Sequence, residues 1–98
     1  MYTGGQFQLH QNMPNPVADR TTITFNLTVA SAVQLDVFDT MGRLVHVLLH
    51  GDLDAGDHRV EWDGKVAGER LAPGTYLYRI NTRNAAGSFS RSRALSLM

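Results

Sequence analysis

Thr22-Ile23-Thr24-Phe25-Asn26-Leu27-Thr28-Val29 alternates strictly between polar and apolar side chains. A period of two puts Ile23, Phe25, Leu27 and Val29 on one face and the threonines and Asn26 on the other, as a strand half-buried against a core requires. The run that follows repeats the pattern, with Val33, Leu35 and Val37 inward before Phe38-Asp39. Asp39-Thr40-Met41-Gly42 then offers an acid that can cap a turn and a glycine that tolerates positive φ, the makings of a short hairpin loop ahead of a third strand at Leu44–Leu49. Asp52-Leu53-Asp54-Ala55-Gly56 reads as a polar loop. His58, Val60 and Trp62 next alternate with Arg59 and Glu61 until Asp63-Gly64 breaks the strand, which makes Trp62 the core anchor.

Ala72-Pro73-Gly74 punctuates again, and Tyr76, Tyr78 and Ile80 form the inward face of a strongly β-prone strand. Gly74-Thr75-Tyr76 has the form of a tyrosine corner, in which a hydroxyl returns to upstream backbone. Asn84-Ala85-Ala86-Gly87 turns the chain into a last strand. There Phe89, Leu95 and Leu97 share a parity with Arg91 and Arg93, so one face is apolar at its ends and basic in its middle. Six strands spaced by about 8–14 residues, plus a short one at Phe7–Leu9, predict an all-β fold, an immunoglobulin-like antiparallel β-sandwich of about seven strands.

Ninety-eight residues hold one core, so the chain reads as a domain over residues 7–98 preceded by a linker or the edge of a longer chain at residues 1–6. There is no Cys, so the fold stands on packing rather than disulfides. The longest apolar runs fall far short of the roughly 18 residues that span a bilayer. Any export signal is expected upstream, because Met1–Gln6 is polar and glycine-rich.

Net charge is zero, but its distribution is uneven. All nine acids lie at or before Glu69, and Arg70, Arg79, Arg83, Arg91 and Arg93 follow, leaving −5 on the first 69 residues and +5 on the last 29. Two readings compete: a basic interaction face, or two halves that pair across a sheet. A neutral domain without a helical basic stripe lacks the footprint of a nucleic-acid binder.

The residues give little support for catalysis. No Gly-x-Ser-x-Gly elbow and no Cys is present, and Ser88, Ser90, Ser92 and Ser96 fall at even steps as the solvent face of a strand. His10, His46, His50 and His58 lie in different elements, and His46 and His50 stand roughly 13 Å apart on a strand, too far to share an ion. Asp52, Asp54 and Asp57 could supply the hard oxygen ligands calcium prefers, yet the loop lacks the glycine and the bidentate glutamate that make such a site specific. No cofactor is implied, and the chain is expected not to be an enzyme.

Several blocks in order resemble a known family: Phe7-x-Leu9-x-Gln11-Asn12-x-Pro14-Asn15-Pro16, Thr21-Thr22-Ile23-x-Phe25-x-Leu27, Val33-x-Leu35-x-Val37-Phe38-Asp39-x-x-Gly42-Arg43-x-Val45, Ala55-Gly56-x-His58-x-Val60-x-Trp62-Asp63-Gly64, and Gly74-x-Tyr76-x-Tyr78-Arg79-Ile80. They are similar to the type A C-terminal sorting domains of the type IX (Por) secretion system of Bacteroidetes-like bacteria. The resemblance implies a secretion signal that carries a fused N-terminal cargo domain through the periplasm and across the outer membrane, to be secreted or held at the cell surface. Its implied partners are the type IX translocon, an outer-membrane shuttle protein and a sortase-like peptidase that cleaves upstream. Many members end in a basic residue, whereas this chain stops at Leu95-Ser96-Leu97-Met98.

Within that expectation, Pro14, Asn15, Pro16, Arg79, Arg91, Arg93, Leu95 and Leu97 are the candidates for translocon recognition. The prolines fix φ and remove two backbone donors, so the Pro14–Pro16 segment is equally readable as a rigid turn. Gly42, Arg43, Trp62, Asp63, Gly64, Gly74 and Tyr76 read as the structural motif. The alternative family is the related immunoglobulin-like domain of flagellar hook-capping proteins, an assembly module that shares the pattern through Trp62-Asp63-Gly64 and Gly74-x-Tyr76. A binding module appended to a secreted enzyme is the third reading, and it would need an exposed aromatic platform.

Overall fold

Alternation in the sequence becomes alternation in burial. In a computed structural model that describes residues 7–98, Thr21, Ile23, Phe25 and Leu27 are buried while Thr22, Thr24 and Asn26 between them are not. The expected linker at residues 1–6 lies outside the described residues. Among the described residues nine strands follow one another: β1 (Phe7–Leu9), β2 (Thr21–Leu27), β3 (Ser31–Phe38), β4 (Leu44–Leu53), β5 (Gly56–Trp62), β6 (Lys65–Val66), β7 (Glu69–Arg70), β8 (Gly74–Asn84) and β9 (Gly87–Leu97).

Two antiparallel sheets form the sandwich, one ordered β1-β2-β5 and the other β4-β3-β8-β9. Ile23, Phe25 and Leu27 from the first meet Val33, Leu35, Val37, Tyr78 and Ile80 from the second, and each is at most 3% exposed. An immunoglobulin-like sandwich of seven principal strands is therefore the fold. Its longest extent is 42 Å, and the eleven-residue strands β8 and β9 each span about 37 Å at the usual rise.

Local departures from the expected pattern have local causes. β2 ends at Leu27, leaving Val29 beyond the strand. The polar loop expected at Asp52–Gly56 shrinks to Asp54–Ala55, because β4 continues to Leu53 and β5 starts at Gly56. Leu53 keeps the strand going by packing against the core, and Gly56, at φ 127°, lets the chain cross from one sheet to the other. The β6–β7 hairpin was not expected. Ala67 and Gly68, both at positive φ, make its two-residue turn. Phe89, which shares its parity with the buried Leu95 and Leu97, is 36% exposed.

The β3–β4 turn is organised by one side chain. Asp39 Oδ1 accepts hydrogen bonds from the Met41 and Arg43 amides at 2.9 and 3.0 Å, and Oδ2 accepts one from Arg43 Nε at 2.8 Å. Gly42 sits at φ 83° between them. The Arg43 amide, then the Arg43 and Met41 groups around it, hold the Asp39 carboxyl below its ordinary range. Stability from this turn is thus present above the unfolded carboxyl range and lost as pH falls through the lowered one. Going from about pH 7 to about pH 3, Asp39→Asn should lose less of its melting temperature than the parent does, as read by thermal circular dichroism.

Candidate functional site

Residues 10–17 do not pair as a strand within either sheet but cross from one to the other. Met13 exchanges two backbone hydrogen bonds with Thr22 on β2. Four residues later the Val17 amide donates to Ser96 O at 2.8 Å and Val17 O accepts from the Met98 amide at 2.9 Å. A segment that leaves one sheet edge for another cannot satisfy every amide along the way, and an unpaired buried donor is costly. Pro14 and Pro16, both exposed, bring no amide proton that would need a partner, and Asn15 Oδ1 accepts from the Ser96 amide at 2.9 Å. Both Met13-Pro14 and Asn15-Pro16 peptide bonds are cis.

Beneath this strap lies a polar network. Tyr78, fully buried, donates its hydroxyl proton to His10 O at 2.7 Å and accepts from the Asn12 amide at 2.9 Å. The Asn12 side chain donates to Pro14 O and to Thr21 Oγ1, and Gln11 Nε2 donates to Ala94 O. Burial pushes the Tyr78 hydroxyl above its ordinary range, against the opposing pull of the Asn12 amide and the Arg93 charge. These partners lie far apart in the chain, and the visible trace in the sequence is only that Asn12 precedes two prolines.

The candidate recognition residues separate into three groups. Pro14, Asn15 and Pro16 come together with Leu95 and Leu97 at one edge of the sandwich. Leu95 and Leu97 are 1% and 4% exposed and are part of the core. Two of the motif residues, Gly64 and Gly74, lie there too, while Gly42 and Arg43 belong to the β3–β4 turn. Leu97 pairs with Gly74 in the ladder and bridges Val17, while a Cβ on Gly64, at φ 74°, would meet the Leu97 side chain at 3.5 Å. Trp62 is buried and donates its indole proton to Lys65 O, Asp63 accepts from the Lys65 amide, and Tyr76 donates to Ala72 O at 2.7 Å in the manner of a tyrosine corner.

Arg91 and Arg93 form the second group, on β9 facing β1. Arg93 Nε donates to Leu9 O at 2.7 Å and the Arg91 guanidinium lies 5.7 Å from the centre of the Phe7 ring. Arg79 stands alone on the outer face of the four-stranded sheet, 4.5 Å over Phe38. The expectation that acidic and basic halves pair across a sheet is not met. Among the described residues only Arg20–Glu61 at 3.6 Å and Arg43–Asp39 at 2.8 Å form ion pairs, both within the first 69 residues. Among the described residues none of the five late arginines has a carboxylate partner: Arg70 lies on β7 and the other four on β8 and β9, and the one acid opposite any of them in a ladder, Asp36 facing Arg79, accepts from Gln34 Nε2 at 2.9 Å instead.

Asp52 and Asp57 are placed on β4 and β5 with Asp54 in the turn between them, and Asp57 Oδ1 accepts from Asn26 Nδ2 at 2.8 Å. Among the described residues no three acidic, histidine or cysteine side chains are grouped to hold a metal ion. A concavity of about 430 Å³ on the outer sheet face is lined by polar side chains including Gln34, His50, Asn81 and Arg83, with no carboxylate in its lining.

PorU from Porphyromonas gingivalis is similar over 96% of this chain, with a TM-score of 0.75 at 20% identity, and this chain spans 10% of that one. FlgD from P. aeruginosa is similar over 98% of this chain and 76% of its own, with a TM-score of 0.66 at 25% identity. The β-glucuronidase of Parabacteroides merdae contains a comparable fold over 13% of its length, at 14% identity and a TM-score of 0.57. No curated protein sequence matches. The family model described as the FlgD Ig-like domain matches residues 13–86, most of the sandwich, and the chain belongs to that family.

Proposed function

We propose that this domain is a non-catalytic C-terminal sorting signal of the type IX secretion system, read as a folded surface by the translocon and its outer-membrane shuttle. The observation that carries the reading is the joining of both ends of the domain, Pro14–Val17 and Leu95–Met98, into one edge. Fold and signal are then a single portable object, which suits a machine that accepts many cargos. Two further facts support it: the sequence blocks that resemble the sorting family, and the likeness of this fold to a tenth of PorU, which shows that such a fold occurs as a small part of a large chain. The cargo precedes the domain, a sortase-like peptidase cleaves between them, and the product ends at the cell surface or outside the cell.

Fusing the 98-residue chain to the C-terminus of a folded reporter in a type IX-competent cell should bring the reporter to the surface. Reporter held in the periplasm with the fusion intact rejects the sorting role.

A second reading is favoured by the family match to the FlgD Ig-like domain. In it the domain is a structural or assembly module. Leu44, Val47 and Leu77, 54%, 42% and 37% exposed on the outer sheet face around Phe38, would be its docking row. Surface delivery of the reporter by an otherwise unrelated cargo separates the two, since an assembly module exports nothing.

A further inference from the structure

The edge of β9 is covered along only half its length. In the unbroken β8–β9 ladder, alternate residues of β9 turn their backbone groups away from β8, and the bonds made by Ala94, Ser96 and Met98 show that these are the even-numbered ones. The strap from Gln11 to Val17 occupies that edge from Ala94 onward. Ser88, Ser90 and Ser92 have the same parity, and among the described residues no backbone group pairs with theirs; Ser90 O accepts only a long bond from Arg91 Nη1 at 3.4 Å. An open strand edge is a template for another strand.

Its chemistry is selective. Between this edge and β1 runs a groove of about 470 Å³ lined by Gln8, His10, Arg91 and Arg93 among others. Neither arginine has a carboxylate partner, and residues 1–6, which precede β1, contain no acid that could provide one. On the opposite face of the same strand the side chains are Ser88, Ser90 and Ser92. A strand added here would alternate between the two environments: every second side chain would meet the arginines, and the rest would meet serines.

The geometry points to a binding site for an extended acidic segment of a partner protein, with Asp or Glu at every second position, added antiparallel or parallel to Ser88–Ser92 as a fifth strand of the larger sheet. Main-chain hydrogen bonds supply affinity and the Arg91 and Arg93 guanidiniums supply selection through charge-assisted hydrogen bonds. The same arginines oppose a basic or apolar strand, including the β9 of a second copy. This inference is separate from the sorting reading and holds whichever machine the partner belongs to.

The test uses the full chain, isotope-labelled for amide NMR, titrated with the heptapeptide Thr-Glu-Val-Glu-Val-Glu-Thr. Shifts centred on the amides of Ser88, Ser90 and Ser92 are expected, with affinity about tenfold or more weaker for Arg91→Glu and unchanged for Arg83→Gln, both variants melting as the parent does. A peptide of the same composition with its three glutamates in a block, and one with N-methyl groups on alternate amides, should bind at least about tenfold more weakly. Equal binding of the blocked peptide would overturn the proposal in favour of unspecific charge attraction. It would also fail if a sulfated glycan bound the same amides more tightly than the peptide, if the shifts fell on β4 or around Phe38 and Arg79 instead, if they appeared on raising protein concentration alone, or if none appeared at millimolar peptide.

Discussion

A chain lacking residues 92–98 is expected to show no cooperative thermal transition by circular dichroism. The deletion removes Leu95 and Leu97, both buried, and truncating a single buried leucine to alanine already costs about 2–5 kcal/mol. It also takes away the backbone partners of Val17, which has no exposed surface, and the acceptor and donor groups that hold Gln11 and Asn15. Two such leucines and a detached strap exhaust the roughly 5–15 kcal/mol that a domain of this kind has in total. Leu97→Ala is the graded version, expected to fold with a melting temperature lower by at least about 8 °C. A sharp transition in the truncated chain would show that the end of β9 is not part of the core. Loss of export on the same deletion therefore reports a lost fold, and a sorting experiment needs variants such as Arg91→Glu that leave the leucines in place.

Tyr78→Phe is expected to loosen the strap while keeping the sandwich. The ring remains, but His10 O and the Asn12 amide lose their shared partner, and a buried polar group left unpaired costs about 1–3 kcal/mol. Amide exchange should speed up at Asn12, Val17 and Met98 before it does in β3 and β8. The substitution also removes a pH dependence. Because burial holds the Tyr78 hydroxyl above its ordinary range, the native state keeps a proton that the unfolded chain releases first. Stability is then complete below the usual tyrosine range and falls as pH rises through the higher native value. Between about pH 7 and about pH 11 the parent should lose more melting temperature than Tyr78→Phe does. Equal losses would place the alkaline sensitivity elsewhere.

Much of the architecture was legible in the sequence because strand formation against a core is signalled locally. Ile23, Phe25 and Leu27, then Val33, Leu35 and Val37, then Tyr78 and Ile80 are inward in the sequence pattern and buried in the fold. The same holds for Trp62 and for the Asp39–Gly42 turn, whose residues bond to one another within four positions. Less was legible of the candidate site. Arg79, Arg91 and Arg93 carry the same charge in the same half of the chain, yet one stacks over Phe38 and the others face β1, because strand parity and edge position separate them. Leu95 and Leu97, recognition candidates by the family resemblance, lie in the core.

The sequence by itself determined the alternation, the turns, the single core and the uneven charge, each of which depends on residues close along the chain. Only the tertiary structure decided that Pro14–Val17 closes over Leu95–Met98, that Tyr78 bonds residues 66 and 68 positions away, and that the late arginines remain without carboxylates. The physical reason is that a hydrogen bond needs its partner within about 3 Å and an ion pair within about 4 Å, and which distant groups reach those distances is fixed by how the two sheets stack and where their edges meet.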